Sequence, residues 1–144
     1  MSESKEAVTK SAQSLTKGDQ LKALYTECGL VKEDVHKHRH YIIITRTGIE
    51  KIQYAKGIDV RFEVIQCEVG FAAVKAVGTM KVGEVTERIE TYGSAYQGNC
   101  TNNYYLEMAE KRALSRIVLK MTKAYSLGVF GEDEADDFKK NKTA

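Results

Sequence analysis

Proline is absent from this 144-residue chain, where average usage would supply about seven. No segment can therefore be a proline-rich spacer. Cysteine is scarce: Cys28, Cys67 and Cys100 are odd in number, widely spaced and form no C-x-x-C pair. That pattern argues against a disulfide framework and a paired-cysteine zinc site, and it fits a reducing compartment. Long apolar runs are missing as well. The longest purely aliphatic one is Ile42-Ile43-Ile44, far short of the roughly 20 residues a membrane helix needs. Met1-Ser2-Glu3-Ser4-Lys5 is polar with no apolar stretch behind it, so no secretory signal is expected. The expected location is the cytoplasm, without a membrane partner, and the glycosylation triplets at Asn99 and Asn141 then have no meaning.

What is present suffices for one domain. The chain is 42% hydrophobic and 29% charged, enough for a single core and against full disorder. The net charge of +2 is unevenly placed. From Gly131 to Ala144 there are five acids (Glu132, Asp133, Glu134, Asp136, Asp137) and three lysines. The body before it carries 19 basic and 15 acidic residues, a surplus of +4. A mildly basic body permits a polyanion partner.

Residues 1–16 are rich in Ser, Lys, Glu and Thr with few large apolar groups and read as a flexible or weakly helical arm. Residues 17–130 read as the binding domain, and 131–144 as a flexible tail, acidic and then basic. Leu21, Leu24 and Tyr25 have helical spacing ending at Gly29. His40 to Thr45 is a short strand, and Gly48 to Lys56 a helix stopped by Gly57. The period then changes to two. Ile58, Val60, Phe62 and Val64 alternate with Asp59, Arg61 and Glu63, and a phase slip at Ile65 suggests a β-bulge. Phe71 to Met80 and Glu84 to Tyr92 follow as strands, with turns at Val69-Gly70 and Lys81-Val82-Gly83. Gly93 to Thr101 reads as a polar loop, and Asn102-Asn103 as the cap of a long helix from Tyr104 to about Tyr125. Ala109, Ala113, Leu114, Ile117 and Met121 share one side of it. The expected fold class is α+β: a three-stranded antiparallel meander covered by a long C-terminal helix, with short helices on the N-terminal side.

Few motifs carry chemistry. No Gly-Lys dipeptide occurs, so there is no P-loop, and G-x-G-x-x-G, G-x-S-x-G and H-E-x-x-H are missing. His36, His38 and His40 would share a face if extended, but cationic residues separate them and only Cys28 is near as a further ligand. They read as a basic surface segment, with no metal and no cofactor expected. No carboxylate pair stands on an apolar background, so no enzyme is expected. Arg112, Arg116, Lys120 and Lys123 recur at spacings of four, four and three with no acid at those positions. Arginine can hold phosphate bidentately and lysine adds a point charge. Tyr96, Tyr104 and Tyr105 lie near the start of that helix and are candidates to stack bases. Lys51, Lys56 and Arg61 form a second set of candidate DNA-binding cations.

Ala109-Glu110-Lys111-Arg112-Ala113-Leu114-Ser115-Arg116 resembles the basic helix of the Rad-type single-strand annealing proteins. In that family a β-β-β-α core ends in a helix with a Lys-Arg-Ala-Leu segment and a further arginine. The run from Gly93-Ser94-Ala95 through Arg-Ala-Leu to Gly131-Glu132-Asp133-Glu134 is similar to the phage Erf (essential recombination function) proteins. It departs from them in the spacing between Ala95 and Tyr105 and in Lys-Arg-Ala standing for Arg-Tyr-Ala. The resemblance spans roughly residues 40–137 and implies a phage recombination protein. Such a protein binds single-stranded DNA along a basic groove and anneals complementary strands without ATP, as a ring or filament of identical copies. Lys111, Arg112 and Arg116 would line the groove. A phage exonuclease or a host single-strand-binding protein would be its protein partner.

Two other classes compete. A small nuclease or nucleotide-modifying enzyme needs a converging carboxylate or histidine cluster, which the sequence does not display. A small oligomeric structural or accessory protein of a phage or mobile element would use its sheet edge for assembly.

Overall fold

The computed structural model describes residues 16–100 and 103–133. Nearly all of the expected arm, Asn102 and the acidic tail beyond Asp133 lie outside these residues. Among the described residues no helix is long and apolar enough to cross a membrane.

Helix α1, Lys17–Cys28, opens on a capping box. Thr16 Oγ accepts the Asp19 N–H at 3.1 Å, and Asp19 accepts the Thr16 N–H at 3.4 Å, a device worth about 1 kcal/mol. A single 3₁₀ turn, Lys32–Asp34, leads to the hairpin of β1, Val35–His38, and β2, Tyr41–Ile44. Arg39 and His40 form the turn of that hairpin. His36 and His38 therefore share a strand face, while His40 lies off it. Helix α2, Arg46–Lys56, starts two residues before the expected Gly48 because Thr45 is its cap, accepting the Gly48 N–H at 3.2 Å. Gly57 ends it in the left-handed region, at φ 64°, where a side chain would be strained.

The meander follows as expected in order and sense. β3, Asp59–Glu68, pairs antiparallel with β4, Phe71–Val82, which pairs antiparallel with β5, Val85–Tyr96. The register shifts between Val64 and Gln66, so Ile65 is the bulged residue. The second turn is tighter than the sequence suggests. Val82 faces Val85 directly, leaving only Gly83-Glu84 between them. The expected loop at Gly93 is also corrected: Gly93, Ser94, Ala95 and Tyr96 continue β5 as far as Phe71 across the sheet.

Helix α3, Tyr105–Met121, covers the meander over β4 and β5. Its N-cap is Tyr104, without a side-chain capping bond, rather than Asn102-Asn103. It stops four residues before the expected Tyr125, because Lys123 turns left-handed (φ 61°) and a 3₁₀ turn, Ala124–Leu127, reverses the chain. That reversal delivers β6, Val129–Gly131, parallel to β2, completing a second sheet in the order β1-β2-β6. Leu127 thus ends the 3₁₀ turn, and Val129 and Phe130 belong to β6.

α3 is the centre of the core. Ala109, Ala113, Ile117, Val118 and Leu119 are fully enclosed, between the meander on one side and α2 and β6 on another. The expected apolar side of this helix is the buried one. The helix lies very close to the sheet. A methyl group at Gly93 would overlap the backbone of Ala109 and Ala113, and one at Gly78 would meet Ile117 Cγ1 at 2.7 Å.

Candidate nucleic-acid interface

Alternation along β5 sorts its side chains between two faces. Thr91, Gly93 and Ala95 are buried beneath α3, while Tyr92, Ser94 and Tyr96 are exposed on the opposite, open face. Tyr92 is 56% exposed and Tyr96 46%. Phe71 of β4 stands directly across from Tyr96, and Lys75 across from Tyr92. The open face therefore carries three aromatic rings beside a lysine. Lys75 Nζ lies 3.2 Å from Glu90, which also receives Arg88 Nη2 at 3.0 Å. The Lys75–Glu90 hydrogen bond raises the lysine pKa and lowers that of the carboxyl.

The basic helix meets this face at the edge of the sheet. Arg112 and Arg116, with Tyr92, Ser94, Asn99 and Asp133, line a recess of roughly 140 Å³. The two arginines are not equivalent. Arg112 donates from Nη1 to the Ser94 carbonyl at 2.7 Å and from Nη2 to the Asn99 carbonyl. It clamps the loop after β5 to the helix. Asn99 secures the same loop, accepting the Tyr96 N–H at 2.7 Å. Arg116 is exposed and has no hydrogen-bond or ion-pair partner among the described residues. Lys120 is exposed one turn further along.

A carboxylate also faces the recess. Asp133 accepts from Ser115 Oγ at 3.3 Å. Burial pushes its pKa up, Glu132 adds to that, and the Ser115 bond, Arg112 and Lys111 oppose it. Glu132 itself accepts the Arg46 N–H at 2.9 Å. The first acids after β6 are thus anchored to the domain.

The remaining candidates are scattered. Lys111 is half-buried beside Arg112. Lys123 lies past the helix end, with Lys56 and Lys81 around a separate recess near the β4–β5 turn. Lys51 donates to the buried Asp34 at 2.6 Å, and Lys56 to Glu27 at 2.7 Å. Both are committed to structural pairs. Arg61 stands on the open face of β3, 85% exposed and 3.5 Å from Asp59. Tyr104 is 68% exposed before α3, whereas Tyr105 packs against the core and is not a free stacking surface. The structure thus brings Arg112 and Arg116 together with Tyr92, and it separates them from Lys51 and Lys56.

Tyr92, Phe71, Lys75 and Asn99 are the residues sequence reasoning missed. The available signal was Tyr92 and Tyr96 alternating with the small residues Gly93 and Ala95, a period of two carried past the expected strand end. No family model, no curated protein and no solved structure matches the chain.

Proposed function

We propose that this protein binds single-stranded DNA and anneals complementary strands without ATP, as an assembly of identical copies and not as an enzyme. The observation that carries the reading is the row of Phe71, Tyr92 and Tyr96 on the open sheet face, bordered at the β5 edge by Arg116. Tyr92 and Tyr96 are four residues apart, about 13 Å along the strand. Bases stack on such rings whatever their sequence, and each stacked base contributes about 1–3 kcal/mol. The phosphate beside the base on Tyr92 meets Arg116. Contacts to phosphate and to ring faces leave the pairing edges of the bases open, and a complementary strand can then pair against them.

The test is fluorescence anisotropy of a labelled 30-nucleotide strand and its duplex, each at 50 and 200 mM salt, followed by an annealing assay. Single strands bind better than duplex. Arg116→Ala lowers the slope of log affinity against log salt by about 0.7. Tyr92→Ala weakens binding by roughly five- to a hundredfold with the slope unchanged. Wild-type binding by both variants, or no binding of either DNA form, refutes the reading. The second result favours the structural or accessory alternative.

A further inference from the structure

β3 forms the other edge of the meander, and among the described residues nothing pairs with its outer side. Nine of its ten residues are exposed. Phe62 is 40% exposed, Val64 53% and the bulged Ile65 51%. Val60, Phe62 and Val64 stand opposite Gly78, Ala76 and Val74, on the face that α3 covers over β4 and β5. An apolar, unpaired edge of this length is what proteins normally blunt or cover.

The backbone groups at that edge can be identified. In β5 the Ser94 carbonyl accepts from Arg112 and the Tyr96 N–H donates to Asn99, so Ser94 and Tyr96 point away from β4. Alternation carried through the register turns Lys75 and Val77 toward β3, bonded to Glu63 and Arg61. Val60, Phe62 and Val64 consequently present their N–H and C=O groups at the free edge.

A second copy adding antiparallel must match those three residues among themselves. A register centred on Arg61 sets that arginine against its own copy. One centred on Glu63 sets two glutamates together. Centring on Phe62 opposes Arg61 to Glu63 twice and Val60 to Val64 twice. Like charges directly opposite are destabilising, and opposite charges or paired β-branched residues are stabilising. We propose that two copies of this chain pair through β3 in an antiparallel ladder centred on Phe62, making a two-fold dimer with one six-stranded sheet. The bulge at Ile65 limits the regular ladder to residues 60–64. A contact of this symmetry closes with two copies. The proposal rests on the assembly half of the function above and not on its DNA half.

Light scattering and sedimentation of the full chain without DNA, from 1 to 100 µM, test it. The wild type reaches twice 16.1 kDa. Arg61→Glu and Glu63→Arg each turn two attractive pairs into repulsive ones, weakening the dimer on the order of thirtyfold. The combined variant restores the pairs with their signs exchanged and dimerises within about threefold of wild type. Phe62→Asp gives a monomer with unchanged far-ultraviolet circular dichroism. A wild type that stays monomeric overturns the proposal, as does a combined variant no better than either single change. Assemblies indifferent to all the β3 variants also overturn it. Dimerisation without DNA binding would sink the DNA reading alone.

Discussion

Gly93→Ala isolates the close approach on which the site is built. Gly93 lies in β5 and its φ is not positive, so alanine meets no backbone strain there. Its methyl group would instead meet Ala113 Cα at 3.0 Å and overlap backbone atoms of Ala109 and Ala113. Ordinary carbon contacts lie at about 3.5–4.0 Å, so α3 must withdraw by roughly an ångström. It cannot do so freely, because Ser115 packs against Gly131 on another side, where an added methyl would meet Ser115 Cβ at 3.1 Å. Overpacking a core costs about 1–3 kcal/mol where side chains can give. Here the obstacle is backbone, so the upper end applies. Loss of unfolded-state freedom on replacing glycine returns about 0.4–1 kcal/mol. The net expectation is a loss of about 2–3 kcal/mol, a large part of the roughly 5–15 kcal/mol that holds a domain folded. At about 2–4 °C per kcal/mol for this size, Tm falls by some 4–12 °C. Gly78→Ala is the comparison, since its methyl meets only side-chain atoms, Ile117 Cγ1 at 2.7 Å and Met121 Sδ at 2.8 Å. Those can swing aside, so its cost is smaller. Urea unfolding followed by circular dichroism measures both. If Gly93→Ala loses under about 1 kcal/mol, or Gly78→Ala loses more, the helix does not sit on the strand as described.

Arg112→Ala frees the Ser94 and Asn99 carbonyls and loosens the loop after β5, so stability falls by about 1–3 kcal/mol and amide exchange near Tyr96 quickens. Arg116→Ala leaves both unchanged, and equal stability losses for the two would refute the division of roles. Lys51 and the Val31 N–H hold the Asp34 pKa below its usual range. Its contribution to stability is therefore present above the unfolded value of about 3.9 and is lost as pH falls through the lower folded value. Lys51→Met weakens this acid sensitivity, as acid titration of unfolding would report. Asp133 has the opposite sign, its pKa being raised by burial. Stability declines as pH rises from the unfolded to the folded value, so Asp133→Asn is more stable than wild type at pH 7. Because it also removes a negative charge from the recess beside Arg116, it tightens single-strand binding at low salt. Unchanged stability and affinity would show that this carboxylate is neither confined nor competing with phosphate.

The parts of the fold legible in sequence are those made by local periodicity. Val60, Phe62 and Val64 announced β3, the slip at Ile65 announced its bulge, and Gly29 and Gly57 marked helix ends. Contacts across long separations left no such trace. β6 is three residues long and is a strand only because β2 lies beside it, some 85 residues earlier. Lys51 and Lys56 looked like free cations because their partners, Asp34 and Glu27, stand 17 and 29 residues away. Gly93 was expected to open a loop because glycine favours turns. Its actual role is to let a helix backbone approach a strand, and that misplaced strand end hid Tyr92 and Tyr96 as a pair on one face.

The two motifs that suggested an annealing protein, Gly93-Ser94-Ala95 and the Arg112-Ala113-Leu114 helix, meet in space. Gly93 lies under Ala109 and Ala113, the Ser94 carbonyl is held by Arg112, and Ala95 and Leu114 are buried. Packing therefore accounts for nearly every residue of both motifs without any ligand. The same packing would be needed by a β-β-β-α domain of any function, so the motifs argue for the helix-on-strand joint more than for DNA. Arg116 is the member that packing does not explain. It is exposed, it has no partner among the described residues, and it stands at the recess beside Tyr92. The joint serves the proposed site by fixing where that guanidinium emerges: a register set by Gly93 and Arg112 holds α3 so that Arg116, one turn later, reaches the edge of the aromatic face. The functional reading thus turns on one arginine and three rings, while Arg112, the most conspicuous cation of the motif, belongs to the scaffold that aims them.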